Sequence, residues 1–183
     1  MGDRPFETRG INHLALVCSD MAATVDFYEG VLGFPLFKTI EMGGGGQHFF
    51  FDIGNGASIA FMWFNGAPPA APGIASQNPD MPFTSAVGSM NHVAIDIPLD
   101  KVDEYRQKLK DLGIKNHVIN HDDSDLGASR DVHDGTWVRS IYFWDPDGIR
   151  LEFAAYAREF TADDVKHAPF DATGRAREAA PAS

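Results

Sequence analysis

Two stretches of this chain alternate large apolar residues with small or polar ones in the same order. Ile11, Asn12, His13, Leu14, Ala15 and Leu16 return as Met90, Asn91, His92, Val93, Ala94 and Ile95, an offset of 79 positions. A period of two marks a half-buried strand. Each copy therefore predicts a strand with a histidine and an alanine on one face and aliphatic residues on the other. A helical pattern follows each strand, over 21–32 and 101–112, with Asp20 and Asp100 as N-caps and Gly33 and Gly113 just beyond the ends.

The duplication closes with paired hairpins. Residues 51–61 match residues 143–153 at an offset of 92, and Asn55-Gly56 and Asp147-Gly148 are tight-turn signals between apolar strands. The second copy thus carries about 13 extra residues, expected in a loop over 116–134 that is rich in Asp, Ser and Gly. Residues 43–46 are all glycine and predict a loop between strands; they lack the lysine and following helix of a phosphate-binding loop. Each copy reads as a strand, a helix and about three strands. The expected organisation is an α+β fold of two modules, 9–64 and 90–157. Between them lies a linker, 65–89, with prolines at 68, 69, 72, 79 and 82, and a tail follows over 158–183 that starts a short helix near Thr161.

Composition changes this picture only by exclusion. A formal net charge of −11 argues against non-specific nucleic-acid binding, which needs a basic face. One cysteine, Cys18, allows no internal disulfide and reads as an apolar filler on a strand. The polar N-terminus and the lack of a long apolar run predict a cytoplasmic protein with no membrane partner.

The chemistry is carried by the repeat positions. The duplication superimposes His13 on His92, and Ala60 on Glu152. Alternation puts His13, His92 and Glu152 on equivalent strand faces, turned away from the helices and toward a shared cavity. A carboxylate at Glu152, between Leu151 and Phe153, is costly to bury unless something pairs with it. Two histidines and one carboxylate form a metal-ligand set with open coordination positions, as in non-haem Fe(II) sites. Fe(II) is the metal expected first, with Mn, Zn or Ni as substitutes.

The strand from His13, the segment Phe27-Tyr28 followed by Leu32-Gly33-Phe34, and the hairpin Asp145-Pro146-Asp147-Gly148 resemble the vicinal-oxygen-chelate superfamily. That group includes glyoxalase I, bleomycin and fosfomycin resistance proteins, methylmalonyl-CoA epimerase and extradiol dioxygenases. The resemblance spans residues 9–157 and implies paired βαβββ modules forming a curved mixed sheet around a metal-containing cavity, and a homodimer. Members that use all four repeat positions as ligands differ from this chain at Ala60; dioxygenase and fosfomycin-resistance members do not. The spacing His133, Tyr142, Asp145-Pro146-Asp147-Gly148, Glu152 is similar to the extradiol signature, which implies that His133 and Tyr142 act beside the metal. The chain departs from that pattern at Asp131, where a small or β-branched residue is usual, and at Asn65, where extradiol enzymes carry a further histidine nearby.

The functional expectation is a metal-dependent dioxygenase acting with O2 on a small aromatic vicinal diol. His133 serves as acid–base group and Tyr142 as hydrogen-bond donor. Phe50, Met62, Phe64, Trp137 and Trp144 offer apolar wall, and Arg150 an anion contact at the rim. Two alternatives remain open: a lyase, isomerase or thiol transferase using the metal as a Lewis acid, and a non-catalytic small-molecule binder. His48 reads as structural, and His117, His121 and His167 as loop or tail residues outside the chemistry.

Overall fold

The alternating stretches become two mixed sheets, one from each copy of the repeat. The computed structural model describes residues 10–76, 85–165, 167–169, 172–173 and 175. The first sheet holds β1 (His13–Val17), β2 (Leu36–Met42), β3 (Gly46–Gly54) and β4 (Ala57–Trp63), in the spatial order β1-β4-β3-β2. The second holds β5 (Val93–Asp96), β6 (His117–His121), β7 (Ala128–Ser129), β8 (Val138–Trp144) and β9 (Arg150–Tyr156), in the order β5-β9-β8-β6-β7. The last strand of each copy runs parallel to the first, β4 beside β1 and β9 beside β5, while the other pairs are antiparallel. The α+β architecture follows the duplication closely.

The helical segments differ in detail from expectation. Asp20 does cap α1 (Met21–Val25), its carboxylate accepting from Ala23 N–H at 3.0 Å. The helix then widens into a π turn over Asp26–Val31 before Gly33, at φ +73°, ends it. Asp100 is not a cap. It lies inside a 3-10 turn over Leu99–Lys101 that leads into α2 (Val102–Asp111). Pro98, at φ −61°, already sets the geometry that opens this turn, so the entry falls earlier than an Asp100 cap requires. The expected loop over 116–134 is also corrected, because it contains β6 and β7. β8 is buried along most of its length, and its backbone polar groups need a partner on the side away from β9; β6 supplies it. The polar side chains of β6 did not prevent that pairing. Asn55-Gly56 forms the expected turn, both residues at positive φ.

The faces turned toward the helices form one apolar cluster that includes Tyr28, Phe51, Ile59 and Phe61 from the first copy and Ile141, Phe143, Leu151 and Phe153 from the second. Cys18 is buried within it, as a filler should be, and burial pushes its thiol pKa up. A polar clasp joins the copies. Tyr28 O–H donates to Asp145 Oδ2 at 3.1 Å, and Ser19 N–H donates to Asp147 Oδ2 at 3.0 Å. Asp145 also accepts from the N–H groups of Asp147 and Ile149. Burial outweighs these bonds and raises its carboxyl to about 6. Of the linker, residues 77–84, with Pro79 and Pro82, lie outside the described residues. The tail forms a 3-10 turn over Ala162–Asp164, capped by Thr161 as expected.

Candidate metal centre

β9 sets Glu152 opposite Tyr142 of β8 and beside Ala94 of β5, and it sets Arg150 opposite Trp144. His92 immediately precedes β5, which brings its ring to Glu152: Nε2 and Oε2 are 2.9 Å apart. Ser140 Oγ donates to the other carboxylate oxygen. Burial alone raises the Glu152 pKa, but the bonds from His92, Ser140 and Tyr142 together outweigh it and hold the carboxyl below its ordinary value. The side chain is therefore a carboxylate at neutral pH, 5% exposed and aimed at an imidazole.

Each histidine of the repeat is held the same way. The Nδ1 atom of His13 is 2.8 Å from Asn12 Oδ1, and that of His92 is 2.8 Å from Asn91 Oδ1. With Nδ1 facing an amide oxygen, Nε2 is the ring atom left to meet other groups, and in His92 it donates to the Glu152 carboxylate. Two such imidazoles and one carboxylate suit a divalent first-row ion.

The three groups do not converge within one chain. His13 stands on the exposed face of the first sheet, edge-on to Phe50 with ring centroids 5.6 Å apart. Among the described residues, no group of three or more His, Cys, Asp or Glu side chains is close enough to hold a metal. His13 opens β1, and His92 lies just before β5. Their equivalent positions do not bring the two sheets face to face.

The remaining residues divide in the same way. Around Glu152 lie Tyr142, Trp144, Arg150 and two histidines of β6. The Arg150 guanidinium lies 3.9 Å above the Tyr142 ring, and His117 stacks on that ring at 5.3 Å. Tyr142 O–H is 3.2 Å from His121 Nε2, and burial, helped by the nearby Glu152 charge, pushes the phenol up to about 12. Arg150 donates to His117 Nε2 at 3.3 Å. It is 4% exposed, has no ion pair among the described residues, and leaves its Nε without a partner, as Trp144 leaves its Nε1. Burial lowers the pKa of Arg150, and burial together with the Arg150 charge lowers that of His117.

His117 and His121 are therefore not loop residues, and this is where the sequence reading fell short. Their spacing of four on a strand puts both on the Tyr142 face, a signal available from period two alone. His133, expected beside Tyr142, instead donates from Nε2 to Asp122 Oδ2 at 3.0 Å while its Nδ1 accepts from Gly135 N–H. The imidazole at the Tyr142 hydroxyl is His121. Trp137 packs between His121 and Phe160. Phe50 and Met62 lie on the His13 face, Phe50 under His48 at 4.3 Å and Met62 paired with His48 across β3 and β4. Phe64 falls just past β4 and lines a cavity of about 770 Å³ with Ala15, Val17, Asn65, Pro68 and Ile149.

The model of the glyoxalase/bleomycin resistance protein/dioxygenase superfamily matches residues 10–153. The chain belongs to this superfamily. It is 31% identical over 145 residues to the metallothiol transferase FosB of Lysinibacillus sphaericus, covering 79% of this chain and 81% of that one. It is 29% identical over 143 residues to FosB of Bacillus licheniformis, covering 78% and 73%. Among solved structures it resembles a glyoxalase/dioxygenase from Nostoc punctiforme, with TM-score 0.58, 24% identity, and coverage of 85% and 96%. It also resembles the fosfomycin resistance protein FosX from Listeria monocytogenes, with TM-score 0.52, 20% identity, and coverage of 86% and 98%. Metal-dependent enzymes and small-molecule binders are found in this superfamily, and many members form dimers. A FosX structure contains Mn(II). No helix among the described residues is long and apolar enough to cross a membrane.

Proposed function

We propose that this chain is a divalent-metal-dependent transferase or hydrolase that adds a thiol or water to a small anionic substrate. The metal is held by His13 of one copy and by His92 and Glu152 of a second. The pairing of His92 with the buried Glu152 at 2.9 Å carries this reading, because a desolvated carboxylate aimed at an imidazole is a ligand pair awaiting a cation. The FosB names of the similar relatives favour this chemistry over the expected dioxygenase. A homodimer resolves the separation of His13 from the other two. Its strand leaves an open face, with Val17 at 51% and Ile40 at 39% exposure, which a second copy can cover.

A bound divalent ion supplies Lewis acidity at a substrate oxygen. We favour Mn(II) over Fe(II), in line with the FosX structure. Arg150, which forms no direct ion pair among the described residues, faces the acidic group of the substrate. Tyr142 O–H, with a pKa near 12, stays protonated at neutral pH and donates a hydrogen bond to a developing oxyanion. His121 accepts from or donates to that hydroxyl. The apolar wall around Phe50 and Met62 limits access of water from the opposite side.

The direct test incubates full-length protein with Mn(II), fosfomycin and L-cysteine and follows phosphorus resonances. A new protein-dependent phosphonate signal is expected. If none appears while Fe(II)-loaded protein takes up oxygen with a catechol, the dioxygenase reading replaces this one. Composite sites have a second signature. Mixing His13→Ala with Glu152→Ala protein and letting subunits exchange should restore activity to about a quarter of the wild-type level, since half the dimers regain one of two sites.

A further inference from the structure

Trp144 is only half-buried, yet its indole N–H is turned inward and meets no acceptor. Its cross-strand neighbour behaves the same way. Arg150 pairs with Trp144 between β8 and β9, so the two side chains share a face. Arg150 is 4% exposed, and its Nε is a second buried N–H without an acceptor. The guanidinium packs among three rings. It lies 3.9 Å from the Tyr142 ring centroid and 5.7 Å from that of Trp144, and one terminal nitrogen donates to His117 Nε2 at 3.3 Å. A ring nitrogen that accepts from a guanidinium carries no proton, so His117 is neutral there. Two buried donors on neighbouring side chains, one of them cationic, call for an acceptor. Glu152 does not supply it directly, because His92 and Ser140 engage its oxygens.

We propose that Arg150 and Trp144 form an anion site for a monocarboxylate, with Arg150 Nε and Trp144 Nε1 as its donors. The site rests on the reading of Arg150 given above and needs no metal. Charge selects the class of ligand. Arg150 offers one positive charge without a direct ion pair among the described residues, which matches one negative charge. A dianion such as phosphate brings a second charge toward the Glu152 carboxylate, whose field reaches the guanidinium. No further ammonium or guanidinium lies against the Tyr142 and Trp144 rings among the described residues. Shape agrees with charge. Both donors lie in the planes of flat, rigid groups walled by the Tyr142 and His117 rings, which suits a planar carboxylate better than a tetrahedral oxyanion.

The test uses nitrogen-15-labelled full-length protein, freed of metal with a chelator and desalted, at pH 8 and constant ionic strength. Acetate and inorganic phosphate are the probes. The indole N–H resonance that is missing from Trp144→Phe spectra identifies Trp144. Acetate should move that resonance saturably while those of Trp63 and Trp137 hold still, and should bind at least about 10-fold more tightly than phosphate. By calorimetry, Trp144→Phe should weaken acetate binding by about 10-fold. Arg150→Gln should abolish the acetate response; the wild-type titration decides the matter alone if that variant does not fold. A Trp144 resonance that neither anion moves saturably overturns the site, and with it the role of Arg150 in substrate binding. Phosphate bound as tightly as acetate overturns the carboxylate preference and leaves that role standing. Acetate that still moves the resonance in Arg150→Gln protein overturns the pairing of the two donors.

Discussion

At equivalent positions of the repeat, Phe50 faces Ala60 across β3 and β4, and Tyr142 faces Glu152 across β8 and β9. One copy has kept the strand histidine and carries Ala60 and Phe50 where the other carries a carboxylate and a phenol, with His48 and Ser58 as its other polar groups nearby. The other has gathered a carboxylate, a phenol, a guanidinium and three imidazoles on one face. The backbones are near-duplicates, so this division of labour lies in side chains and not in topology. The face with His13 stands open, and the face with Glu152 is buried by its own packing. One half of the repeat thus presents a lone exposed histidine, and the other a buried polar cluster.

The sharpest way to break this contrast is to remove the group that only the second copy has. Glu152→Ala should lower divalent-metal affinity by about two orders of magnitude, close to 3 kcal/mol, measured by calorimetry. An affinity within threefold of wild type would place the metal elsewhere. The reverse change tests the vacated position. Ala60 is fully buried, so Ala60→Glu should cost about 2–4 kcal/mol without metal. Added Mn(II) should return more thermal stability to this variant than to wild type, by ligand-linked stabilisation. Equal recovery would mean that the new carboxylate never reaches the ion.

The clasp between the copies gives a pH signature. Asp145 has a folded pKa of about 6 against an ordinary 3.8, so the folded state binds its proton more tightly than the unfolded state does. The stabilisation from that proton is full below about pH 4 and is lost as pH rises through 6. Relative to Asp145→Asn, wild-type stability should therefore fall by up to about 3 kcal/mol between pH 4 and pH 7 in denaturant titrations. A pH-independent difference would show that the carboxyl is not desolvated. The smallest effect is expected at Tyr142. Tyr142→Phe should change stability by only about 1 kcal/mol. It should also abolish the tyrosine that titrates near pH 12 by ultraviolet absorbance.

Much of this was legible in the chain. Period-two alternation located β1, β4 and β9, glycines 33 and 113 marked the helix ends, and the two offsets of the repeat predicted an insertion in the second copy. What alternation cannot convey is which faces oppose one another in space. His13 lies on the face of β1 that alternation predicts, but that face is exposed and does not meet Glu152 within the chain. β6 escaped notice because its residues read as polar punctuation, while its existence is dictated by the backbone of β8. His133 was expected beside Tyr142 from the resemblance to the extradiol signature, and His121 was read as a loop residue. Asp122 captures His133, and strand register delivers His121.

The capped turn at the tail has a practical corollary. Asp164 closes the cap on Thr161 and binds Arg158 at 2.6 Å, which fixes Phe160 against Trp137. Trp137 rests on His121, and His121 meets the Tyr142 hydroxyl. Four side chains in series thus connect the tail to Tyr142. An affinity tag or fusion joined beyond Val165 leaves that series whole, whereas a truncation before Phe160 removes its outermost member. Trimming the tail to aid crystallisation would thus also disturb the packing beside Tyr142 and Glu152.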